Sequence, residues 1–157
     1  MKNLLLLFGI AVFSTMGYAQ TINHWESVIY ASDTWKYKLG TFDPGASWNQ
    51  LSFNDTGWNS GSGGFGYGDN DDATIISQTP SIFIRKKFTI VDMSKINLGL
   101  LHMDYDDGFV AYINGIEIAR GGMTGTPPTY NQLAAADHEA QMYSTGMPPE
   151  FIIKKAA

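Results

Sequence analysis

The chain has 157 residues, a formal charge of −5, no cysteine, four tryptophans and seventeen glycines. That length suits one domain, and the acidic balance provides no basic field to attract nucleic-acid phosphates. The absence of cysteine excludes disulfides, thiolate metal sites and a cysteine nucleophile, leaving an aromatic- and glycine-rich chain that points to an all-β fold.

Lys2 precedes an apolar stretch from Leu4 to Phe13, and Gly17-Tyr18-Ala19 closes the segment with small and neutral residues. This is the three-part pattern of a secretory signal, with cleavage expected after Ala19. The stretch is half of the about 20 apolar residues that a membrane span needs. The expected mature part, residues 20–157, carries nine basic and fifteen acidic residues, and is read as secreted or held at the cell surface without membrane insertion.

Residues 22–40 alternate aromatic or β-branched positions (Trp25, Val28, Tyr30, Trp35, Tyr37) with polar ones, predicting short strands joined at Ala31-Ser32-Asp33. Residues 41–73 carry turn chemistry: Asp43-Pro44-Gly45, Asn54-Asp55-Thr56-Gly57, then the glycines from 61 to 68. Trp48, Phe53, Trp58, Phe65 and Tyr67 punctuate this stretch, so it reads as a loop pinned to the domain by its rings. Ile82, Ile84, Phe88 and Ile90 recur at period two, with Phe83, Arg85 and Lys87 directed to the opposite face. Ile96, Leu98 and Leu100 begin another strand. Asn114-Gly115, set between Phe109–Ile113 and Ile116–Ala119, predicts a two-residue type I′ hairpin, because both central residues need positive φ. Residues 131–142 predict a short alanine-rich helix, and Phe151-Ile152-Ile153 the start of a last strand.

Gly61, Gly63 and Gly66 spell G-x-G-x-x-G, but the Tyr67-Gly68-Asp69-Asn70 that follows cannot open the helix that a dinucleotide site requires. Turn formation and aromatic packing account for these glycines. Two acidic clusters could supply oxygen ligands for calcium: Asp69, Asp71 and Asp72, and then Asp104, Asp106 and Asp107. The second fails as an EF-hand, since Gly108 falls one place early and Gly115 stands where the bidentate glutamate belongs. Either cluster equally makes a solvated turn. A glycosidase pair requires a set separation and a cleft that no sequence displays. His24, His102 and His138 are scattered, and neither G-x-S-x-G nor H-E-x-x-H occurs, so no catalytic residue is expected. The tryptophans all lie between residues 25 and 58, where they either fill a core or stack on sugar rings.

Several segments together resemble a known module. They are Trp48 with Phe53–Trp58, Gly64-Phe65-Gly66-Tyr67-Gly68, Ile84-Arg85-Lys86-Lys87-Phe88, and Asp106-Asp107-Gly108 running into Phe109–Glu117. In these residues the chain resembles the galactose-binding-like jelly-roll modules of secreted bacterial proteins. The stretch from His138 to Phe151 is similar to the N-terminal module of Bacteroidetes proteins that carry a CotH-like kinase domain downstream. The resemblance covers essentially all of residues 20–157. It implies an antiparallel β-sandwich lacking its last strands, which would leave a sheet edge unpaired.

The expected function is that of a non-catalytic module binding carbohydrate, such as a cell-surface polysaccharide, with Trp58, Tyr67, Asp71 and Asp107 as contact residues. Asp69, Asp71, Asp72, Asp104 and Asp106 are the candidate ligands of a structural calcium ion, and no cofactor is required. The alternative is a spacer or docking surface for a kinase-like domain outside this chain.

Overall fold

The computed structural model describes residues 24–68 and 70–153. The segment expected to be an export signal, and Asp69 of the first acidic cluster, lie outside the described residues. Among the described residues the chain is all-β, with nine short strands and two single 3-10 turns, and no helix long and apolar enough to cross a membrane.

The strands are β1 (Thr34–Leu39), β2 (Asn59–Ser62), β3 (Phe65–Gly66), β4 (Thr74–Ile75), β5 (Ile82–Arg85), β6 (Gly99–His102), β7 (Phe109–Ile113), β8 (Ile116–Gly121) and β9 (Glu150–Ile153). They pair into four small sheets: β2-β1-β5, β3-β4, β6-β9 and β7-β8. All ladders are antiparallel except β3-β4, a two-residue parallel pairing of Phe65 with Thr74 and Gly66 with Ile75.

β1 is the centre of the largest sheet. Lys36 lies between Ser60 of β2 and Arg85 of β5, and Tyr37 between Asn59 and Ile84. Side chains alternate across a strand, so Trp35, Tyr37, Ile82 and Ile84 share one face, and Lys36, Phe83 and Arg85 share the other. Tyr37 packs on Phe65 of β3, ring centroids 5.2 Å apart. Before β1 the chain makes a turn, not the additional strand expected within residues 22–30. The Asp33 N–H donates to the Tyr30 carbonyl at 3.1 Å, and the Asp33 carboxylate accepts from the Tyr30 N–H at 3.0 Å. That second bond, aided by Lys86, holds Asp33 below the usual carboxylate range.

The β7-β8 hairpin forms as its sequence demands, with Asn114 at φ 51° and Gly115 at φ 85°. Its register shifts after Ala111, which faces Ala119 while Tyr112 faces Glu117, so Ile118 is the extra residue of a bulge. Glu117 and Arg120 form a two-pronged ion pair at 2.5 and 2.6 Å, and Arg120 also donates to the Gly125 carbonyl at 2.8 Å.

The helix expected over residues 131–142 does not form; a 3-10 turn at Met142–Ser144 is the only helical piece in that region. Its backbone donors are committed to distant partners instead. The Ala135 N–H donates to the Gly122 carbonyl at 2.8 Å, and those of His138, Gln141 and Met142 to the carboxylates of Asp107 and Asp104. A helix this short is marginal by itself, so these tertiary bonds prevail.

Among the described residues no apolar side chain is closed off from solvent, and Gly40 is the single buried residue. Apolar side chains are half-buried or exposed, and ring-on-ring contacts supply part of their cover.

Candidate functional site

The loop of residues 41–58 folds onto the Phe83–Arg85 face of β5. Short Asx turns shape it: the Asp43 carboxylate accepts from the Gly45 N–H at 2.7 Å, and the Asn54 side chain from the Thr56 N–H at 3.1 Å. Trp48 is the hub. It meets Phe83 edge-on at 4.9 Å and Tyr112 at 5.8 Å, and stacks with Trp58 at 6.5 Å. Trp58 in turn meets Phe53 at 5.6 Å. Trp58, one of the expected sugar-stacking residues, is half-buried and packs within this cluster.

Arg85 fastens the same loop. Its Nε donates to Asp55 at 3.0 Å, its Nη1 donates to the carbonyls of Trp48 and Gln50, and its guanidinium lies over the Phe53 ring at 4.9 Å. Over residues 41–58 the expectation of a loop pinned by aromatics therefore holds, with a guanidinium added to the rings; beyond it β2 and β3 form where loop was expected, and Tyr67 stays open.

Tyr67 has different surroundings. It leaves β3 just before Gly68, whose φ of 105° turns the chain away, and its side chain stays 48% exposed. With Gln78, Thr79, Pro80 and Leu133 it lines a shallow cleft of about 450 Å³. Ser81, next to Pro80, ties this wall of the cleft to the segment ahead of Leu133 and to the end of β1. Its carbonyl accepts from the Gly40 N–H at 2.7 Å, and its hydroxyl donates to the Tyr130 carbonyl. Gly40 has to be glycine at this junction, because a Cβ there would collide with Ser81. The Thr79 hydroxyl donates to the Ser81 carbonyl at 3.1 Å, which fixes it while leaving its oxygen able to accept. The cleft thus combines an open aromatic ring with amide and hydroxyl groups, the chemistry that recognises a sugar's apolar face and its hydroxyls.

Asp104 and Asp107 bind protein backbone. Asp104 accepts from the N–H groups of Gln141 at 2.8 Å and Met142 at 3.0 Å, and Asp107 from that of His138 at 2.9 Å. His138 also stacks on Tyr105, centroids 4.0 Å apart, and its Nδ1 lies 3.0 Å from the Tyr105 carbonyl. Asp106 lies between these clasps. Desolvation, then the charges of Asp107 and Glu139, hold its carboxyl above the usual value of 3.8, while His138 pulls the other way. The folded form therefore holds this proton more tightly than the unfolded chain. The contribution is present below about pH 3.8 and is lost as pH rises through the raised folded value.

Asp71 is exposed, and the Asp72 carboxylate lies so close to Gly66 that a Cβ there would fall 2.3 Å from its Oδ1. Gly63 is similarly constrained, because its Cβ would strike the Ala31 carbonyl. A Cβ on Gly61 would fall 2.6 Å from the Thr74 side chain, so close packing bears on all three glycines of the G-x-G-x-x-G run. Among the described residues no three His, Asp or Glu side chains are grouped to hold one metal ion.

Comparison with known protein families, curated proteins and solved structures finds no match.

Of the four residues expected to touch carbohydrate, Tyr67 alone lines the cleft; Trp58, Asp71 and Asp107 do not. Gln78, Thr79 and Leu133, which complete it, were missed by sequence reasoning. The only sequence cue was polar residues and a proline ahead of a strand, which is ordinary turn composition.

Proposed function

We propose that the chain is an exported, non-catalytic binding module of the jelly-roll, galactose-binding-like type, and that it takes a carbohydrate in the cleft beside Tyr67. One observation carries the reading: a half-exposed tyrosine ring over a cleft that also presents Gln78 and Thr79. Large aromatics are mostly covered in folded proteins, and Trp48 and Trp58 are used in packing, while the more exposed Trp25, Tyr30 and Phe42 line neither cleft. A ring left open beside fixed polar groups fits a sugar's apolar face, with the amide and hydroxyl satisfying its hydroxyls. The reading needs no cofactor.

A neutral-glycan array probed with the purified chain tests it. At least one glycan should bind, and Tyr67→Ala should weaken that binding about tenfold or more while the melting temperature stays within 2–3 degrees of the parent, roughly a 1 kcal/mol change. Trp58→Ala should instead lower stability, because its ring packs on Trp48 and Phe53. Binding that survives Tyr67→Ala defeats the assignment.

The docking or spacer role is favoured by a different observation. Ile75, Ile116 and Ile152 are 68%, 70% and 58% exposed, and no apolar side chain among the described residues is closed to solvent. Silence across the array, with a soluble and folded chain, supports that role.

A further inference from the structure

A second cleft, of about 250 Å³, lies on the other side of the β1 ladder from Tyr37. The pairing of β1 with β2 and β5 sets Ser60, Lys36 and Arg85 in a row across the sheet. The same register carried on by two residues brings Lys87 beside Thr34, and both line the cleft. Its walls hold four cationic residues, Lys36, Arg85, Lys86 and Lys87, against one anionic residue, Asp55, in a chain whose formal charge is −5.

Two of those cations are already answered. Arg85 pairs with Asp55 at 3.0 Å, and Lys86 with Asp33 at 3.3 Å while donating to the Thr34 carbonyl at 3.2 Å. The other two are not. Lys36 makes only a long 3.5 Å contact to the Trp58 carbonyl, and Lys87 is exposed; neither has a carboxylate partner among the described residues. Two unanswered ammonium groups beside the hydroxyls of Thr34 and Ser60 form a donor-rich pocket for an oxyanion. The local excess of positive charge focuses potential there although the chain as a whole repels anions.

We propose that this cleft binds the carboxylate or sulfate groups of an acidic polysaccharide, clamped between Lys36 and Lys87. The inference rests on the carbohydrate reading but on different residues, and it names the charge of the polymer. The cleft is shallow and lies across three strands, so it suits a group carried on an extended chain. Nucleic acid is the competing polyanion, and a DNA oligonucleotide is the probe that distinguishes it.

The test is affinity electrophoresis of the whole chain through gels containing polygalacturonate, dextran sulfate or neutral dextran. At low salt polygalacturonate, dextran sulfate or both should retard the parent protein, the effective polymer telling carboxylate from sulfate. The double variant Lys36→Gln/Lys87→Gln should weaken retardation about tenfold. Lys38→Gln/Lys95→Gln makes the same charge change away from the cleft and should alter it less than about twofold. Equal loss in both doubles, equally strong retardation by a DNA oligonucleotide, or no retardation by either acidic polymer overturns the proposal. Neutral-glycan binding lost in Tyr67→Ala, with no retardation by either acidic polymer, leaves the first cleft standing and this one refuted. Acidic-polymer binding that depends on the lysines, with silence on the neutral-glycan array, does the reverse.

Discussion

Replacing Arg85 with leucine is expected to lower unfolding free energy by about 3 kcal/mol, the low end for breaking a buried ion pair. The Arg85 side chain is 9% exposed and that of Asp55 19%, so the abandoned carboxylate is poorly solvated but not sealed. The carbonyls of Trp48 and Gln50 lose a donor at the same time, and Phe53 loses the cation over its ring. The loop of residues 41–58 should then loosen as a unit, since Arg85 holds it at four residues. Trp48 and Trp58 ride on that loop, so urea titration followed by tryptophan fluorescence reads both the stability and the local change. The double variant Arg85→Leu/Asp55→Leu should recover part of the loss, because it removes the stranded charge. A cost below about 1 kcal/mol for the single change would show that the pair does not hold the loop.

Removing both acids that bind the 138–142 segment should have the next largest effect. Asp104→Ala/Asp107→Ala deletes the acceptors of three backbone N–H groups, those of His138, Gln141 and Met142. Hydrogen bonds to a charged group contribute about 1.5–3 kcal/mol when well shielded, and these are only partly shielded. A local loss of about 2 kcal/mol corresponds to roughly 30-fold faster hydrogen exchange at those amides. Amides in the β2-β1-β5 sheet should exchange at the parent rate. Uniform acceleration throughout the chain would mean that the clasp is part of the global fold and not a local fastening.

What the sequence made legible is chemistry that acts within a few residues. Asn114-Gly115 fixes the hairpin because the turn itself demands two positive φ angles, whatever surrounds it. The period-two pattern through Ile82, Ile84 and Phe83, Arg85 separates two faces correctly, although β5 stops at Arg85. The rings of residues 48–58 do pin their loop. Features that depend on distant partners were not legible. The alanine-rich stretch after residue 131 has helical propensity, but remote carbonyls and carboxylates take its donors. The Tyr67 cleft draws its walls from three separated segments, two of them tied through Ser81, a residue with no distinguishing local signal. The lysine cleft depends on the register that brings residue 36 level with residue 85. Trp58 shows the converse: its composition fits either a ligand platform or a packing role, and only its neighbours assign the latter.

The half-covered state of the apolar side chains has a thermal consequence. Unfolding raises heat capacity in proportion to the apolar area newly wetted, about 12–15 cal/mol/K per residue for ordinary domains. Here the apolar groups among the described residues are already in partial contact with water, so the increment per residue falls below that range. A small increment flattens the dependence of stability on temperature. Such a chain loses less of its stability on cooling, where a domain with a sealed interior loses hydrophobic support fastest.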